Sequence, residues 1–121
     1  MAEPHDLPDA RGLLEAVREF LERDVMEATE GRIRFHARVA VNVLAMVERE
    51  WELGPAQAAA HRQGLARLGY PDEQALARAI RTGAVTGRDL AEVASFVRDT
   101  VRDKLLVANP RYLQGPRPPA D

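Results

Sequence analysis

Between Arg32 and Leu53, apolar residues spread over too much of a helix for one-sided packing. At 3.6 residues per turn, Ile33, Phe35, Val39, Ala40, Val43, Leu44, Val47 and Trp51 cover an arc of roughly 200°, about twice what a surface helix needs. Such a helix must be covered on several sides. Either it is the central element of a bundle, or part of its surface is set aside for another protein.

Periodicity and punctuation supply its neighbours. Asp9 suits the N-cap of a first helix running from about Ala10 to Thr29 and ended by Gly31. Leu13, Leu14, Val17, Phe20, Leu21, Val25 and Ala28 follow its three-four spacing. Gly54-Pro55 stops the second helix, and Pro55 opens a third, alanine-rich one reaching Leu68. After Gly69-Tyr70-Pro71, Asp72 caps a short fourth helix to about Thr82. Thr86 or Gly87 opens the fifth, with Leu90, Val93, Ala94, Val97, Val101 and Leu105 on one stripe, and Asn109-Pro110 ends it. No strand-like alternation and no internal repeat interrupts this pattern. The expected fold is all-α, a small bundle of about five helices, three long and two short. Residues 1–8 read as a flexible arm, residues 9–113 as a single helical domain, and residues 114–121 as a Pro-rich disordered tail.

Composition removes several function classes. There is no cysteine in the 121 residues, so thiol catalysis, thiolate metal ligation and disulfides are excluded. Seventeen basic residues against nineteen acidic ones, a net charge of −2, argue against nucleic-acid binding. No run approaches the ~20 apolar residues of a membrane span, and residues 1–8 carry no secretory pattern. A cytoplasmic protein is expected. No phosphate-cradling glycine loop, His-Glu-x-x-His motif or nucleophile elbow occurs, so no catalytic residue, metal site or cofactor is assigned. His5 falls in the N-terminal arm, and His61 has no evident partner on its helix.

Three ionisable residues interrupt the apolar stripes. Asp24 falls within the stripe of Leu13, Val17, Phe20 and Leu21; His36 lies among Val39, Ala40 and Val43; Lys104 lies beside Val93, Val97 and Val101. Pointed inward, each would need a polar partner, because an unpaired buried charge is costly. Asp24, His36 and Lys104 are therefore a candidate interhelical polar cluster, read either as a pocket with His36 as acid or base or as a hydrogen-bonded packing device. For Lys104 alone, snorkelling out near the helix end is a further reading.

Two other sets stand out. Arg34, Arg38, Asn42 and Arg49 share one arc of the second helix, which suits a phosphate or carboxylate, or simply a solvated face partly neutralised by Glu48 and Glu52. At the C-terminal end, Asn109 can cap the fifth helix, and Arg111 and Tyr112 either dock back on the bundle with Leu113 or face a partner. Docking is the expected role.

Stretches along nearly the whole chain resemble a small bacterial family of unknown function. They are Leu13-Leu14-Glu15-Ala16-Val17-Arg18-Glu19-Phe20-Leu21, Glu30-Gly31-Arg32-Ile33-Arg34-Phe35-His36-Ala37-Arg38-Val39-Ala40, Val47-Glu48-Arg49-Glu50, Arg102-Asp103-Lys104-Leu105 and Ala108-Asn109-Pro110-Arg111-Tyr112-Leu113. The resemblance implies a genomic setting beside phosphotransferases of the aminoglycoside- and choline-kinase type and beside acyl-CoA dehydrogenases. It carries over no catalytic residue. The expected function is a non-catalytic accessory subunit of a kinase-like phosphotransferase acting on a hydroxyacyl-CoA or similar metabolite. The alternatives are a small-molecule-binding protein or minor enzyme built on the polar cluster, and a self-associating module that forms a homo-oligomer.

Overall fold

The computed structural model describes residue 4 and residues 6–115. His5 and most of the Pro-rich tail lie outside the described residues. Among those described, the secondary structure is all helical. The chain divides into two compact units, residues 1–52 and 53–121.

The first unit is a helical hairpin. Asp9 caps α1 (Ala10–Phe20) by accepting a hydrogen bond from the Gly12 amide at 3.0 Å. A π-helical turn, Leu21–Val25, and one further α-turn, α2 (Met26–Ala28), extend the rod. Thr29 then turns extended, its hydroxyl donating to the Val25 carbonyl at 2.6 Å, and α3 begins at Gly31. So short a turn forces the two rods antiparallel. Two ion pairs confirm the direction: Arg18 Nε meets Glu48 at 2.6 Å and Arg11 meets Glu52 at 3.3 Å, later partners in α3 matching earlier ones in α1. Leu14, Leu21 and Val25 from the first rod are half-buried, as are Val41 and Leu44 from α3, and Ala37 is buried.

The second unit owns the main core. It takes the C-terminal part of α3, then α4 (Glu73–Arg81) and α5 (Arg88–Ala108). Leu65, Leu76, Val85 and Val93 are buried together, with Leu68, Tyr70, Ala79 and Phe96 packed around them. Gly69 and Gly83, both at positive φ, end α3 and α4 in the same way. In each, the residue after the glycine bonds back six-to-one: Tyr70 N–H to Leu65 O at 2.9 Å and Ala84 N–H to Ala79 O at 3.0 Å. Asp72 caps α4 through the Ala75 amide at 2.8 Å, as its sequence position predicts.

One boundary differs from expectation. The predicted second and third helices are a single α3, Gly31–Leu68, running through Gly54-Pro55. Proline fits the helical φ; at position 55 it forfeits its bond to the Trp51 carbonyl and sets its ring against that carbonyl. The helix continues through both costs rather than breaking.

Candidate functional site

The apolar stripes fall on the residues that periodicity assigns, but large parts of them are not covered. On α1, Leu13, Val17 and Phe20 are each more than half exposed. On α3, Ile33, Val43 and Trp51 are equally exposed, and Phe35, Val39 and Val47 are also open to solvent. A two-helix hairpin has one internal seam, and a 200° arc cannot fit into it.

The uncovered residues share one side of the hairpin. On α1 they lie about 100° around the helix from the seam residues Leu14, Arg18, Leu21 and Val25, and on α3 His36, Val43 and Val47 lie about as far from Ala37, Val41, Leu44 and Glu48. The rotations have the same sense along the chain, and because the rods are antiparallel both stripes turn to the same side. Arg11 and Glu52 close the opposite flank, and Arg34, Arg38, Asn42 and Arg49 project to that polar side. Arg34, Arg38 and Asn42 are exposed and Arg49 is half-buried. Glu48 and Glu52 commit their carboxylates to Arg18 and Arg11 across the hairpin. The Glu48 hydrogen bond, against some desolvation, holds the Arg18 guanidinium above its ordinary pKa.

This geometry corrects the expected buried polar cluster. Asp24, His36 and Lys104 are all exposed. Asp24 and His36 stand on the open apolar side of the hairpin, with the Phe35 ring edge-on to His36 at 5.6 Å between centroids. Lys104 stands beside the exposed Val97 and Val101 on α5, in the second unit. The projection found the right stripes.

The C-terminal end carries the remaining candidate residues, Asn109, Arg111 and Tyr112. Asn109 closes α5 through its amide to Leu105 O at 2.8 Å, and Pro110–Gln114 forms a 3₁₀ turn. Tyr112 is 70% exposed, Arg111 is exposed, and Leu113 is only partly covered. Leu90, Val97 and Val101 make a further exposed stripe along α5.

The second unit also holds a groove of ≈ 590 Å³, lined by His61, Gly64, Phe96, Asp99 and Thr100 among others, and not by Asp24, His36 or Lys104. His61, unpartnered in the sequence reading, is the best-connected imidazole: Nε2 lies 3.0 Å from Glu73, Nδ1 3.4 Å from Thr100 Oγ1, and the Phe96 ring 5.1 Å away. A hydroxyl, an imidazole and a carboxylate in series resemble a nucleophile with its base. The hydroxyl, however, donates to the Phe96 carbonyl at 3.0 Å, so its proton belongs to the helix backbone. His61 thus ties α3 to α4 and α5, a structural task. Its partners arrive from other helices, and nothing in the local sequence signals them. Among the described residues, no group of three or more His, Asp or Glu side chains is placed to hold a metal ion, and no helix is long and apolar enough to cross a membrane.

Residues 27–112 match the family described as Domain of unknown function (DUF6285). The chain belongs to the DUF6285 family. The DUF6285 match takes in all of α3, α4 and α5 and ends at Tyr112, so it contains His36, His61, Lys104 and the exposed α5 stripe. No curated protein and no solved structure matches the chain.

Proposed function

We propose that this DUF6285 protein is a non-catalytic partner subunit that docks onto another protein through α5 and the 3₁₀ turn after it. The observation that carries the reading is the run of exposed Leu90, Val97, Val101, Tyr112 and Leu113. Single exposed apolar residues are ordinary, but a stripe of them rimmed by Lys104 and Arg111 has the make-up of an interface: aliphatic centre, an aromatic anchor, and a basic edge. The partner that the family resemblance implies is a kinase-type phosphotransferase acting on a hydroxyacyl-CoA or similar metabolite, in the cytoplasm. The basic edge suits an acidic patch on such a protein.

Co-expression with a phosphotransferase of the kind the resemblance implies tests this. The two proteins should co-purify, and Tyr112→Ala with Val97→Glu should break the complex while leaving the helical content intact. If they never co-purify and phosphotransferase activity is indifferent to this chain, the proposal fails.

A further inference from the structure

The hairpin carries an open apolar side of its own, and its occupant can be argued from the hairpin alone. Leu13, Val17, Phe20, Ile33, Val43, Val47 and Trp51 are between 37% and 56% exposed. Together they leave on the order of 800 Å² open, which is the share one partner contributes to a stable interface of standard size. The surface consists of two parallel ridges about one helix-packing distance apart, roughly 8–10 Å. A covering surface must offer two ridges at the same spacing. A second copy of the hairpin does so by construction.

Charge selects the orientation. Asp24 lies four residues before the end of α2 at Ala28, and His36 five residues after the start of α3 at Gly31. At 1.5 Å per residue both stand about 6–8 Å from the hairpin turn, at one level of the molecule. They are the two ionisable groups on the open side at that level, of opposite character. A two-fold axis parallel to the helices preserves levels and sets α1 of one copy against α3 of the other. All four helices then alternate in direction around the bundle, and each Asp24 faces the other copy's His36. An axis perpendicular to the helices would set the same charged level against Leu13 and Trp51, leaving both groups to be buried unpaired.

We infer that the hairpin dimerises with a second copy, turn to turn, into an antiparallel four-helix bundle closed by two Asp24–His36 contacts between copies. This does not depend on the proposed partner of α5. It accounts for an imidazole and a carboxylate standing amid exposed valines: they fix the register of a symmetric interface that apolar contacts alone would allow to slip.

Light scattering on the size-exclusion peak of the full chain reads the outcome. The unmodified chain should elute with the mass of a dimer. Val43→Glu, on the open side, should give a monomer with unchanged helical circular dichroism, and Arg38→Glu, on the polar side, should remain dimeric. Asp24→Lys and His36→Glu should each weaken the dimer about tenfold, and the two together should recover most of that loss, as a direct contact requires. A monomer at all concentrations, or a dimer indifferent to Val43→Glu, overturns the inference. Failure of the double variant to recover overturns the turn-to-turn arrangement. Loss of the phosphotransferase on Val43→Glu, with the chain itself monomeric throughout, assigns the face to that partner and also overturns it.

Discussion

Two valines of the same size should respond to truncation in different ways. Val93, on α5, is only 4% exposed and belongs to the main core, whereas Val43, on α3, is 51% exposed. Removing two methyl-sized groups from Val93 forfeits about 1.6 kcal/mol of transfer free energy. The cavity adds about 1 kcal/mol, and the better helix propensity of alanine returns about 0.5 kcal/mol. Val93→Ala should therefore cost about 2 kcal/mol, at any protein concentration. Val43 gains only about half of its transfer energy within the chain, roughly 0.8 kcal/mol, and propensity offsets most of that. At low concentration Val43→Ala should change stability by less than about 0.5 kcal/mol. When copies associate, the other half is buried twice per dimer, so Val43→Ala should weaken association by about ten- to twentyfold. Urea unfolding at several protein concentrations separates the two, with the midpoint read at constant slope. If Val43→Ala costs as much as Val93→Ala at every dilution, the hairpin face is covered within one chain and the reasoning is wrong.

Two further outcomes test the interior. Glu48→Gln removes a charge from the 2.6 Å Arg18 contact, whose side chains are 25% and 16% exposed; the loss should be about 1–2 kcal/mol by thermal unfolding, and Glu22→Gln, a more open partner of the same arginine at 3.3 Å, should lose no more than about 0.5 kcal/mol. Gly64→Ala would set a Cβ 2.5 Å from the Phe96 ring; overpacking of about 1–3 kcal/mol outweighs the roughly 1 kcal/mol gained in helix propensity, so the variant should unfold at lower temperature.

Much of this architecture is readable from residues alone. Asp9 and Asp72 announce their helices because a short acceptor before an apolar run has one good use, and Gly69 and Gly83 end theirs because the φ required there suits glycine. The stripes carrying Asp24, His36 and Lys104 are also legible, since three-four spacing fixes a face. What covers a face is not encoded in spacing. A helix with a 200° apolar arc looks the same whether its neighbours belong to its own chain or to another, and Val43 on it and Phe20 on α1 are more than half exposed. Pro55 misleads for a related reason: a proline at a helix start and one inside a continuous helix share the same φ, and the choice rests on what packs alongside. The π-helical turn at Leu21–Val25 has no sequence mark, and the contacts of His61 join residues brought together only by the fold of α3, α4 and α5.

Sedimentation equilibrium of the intact 13.4 kDa chain bears most directly on the claim that its open apolar faces are protein interfaces. The account predicts a reversible association to twice the chain mass across the micromolar range. A species that stays at the single-chain mass to high concentration, with no tendency to associate, would contradict it.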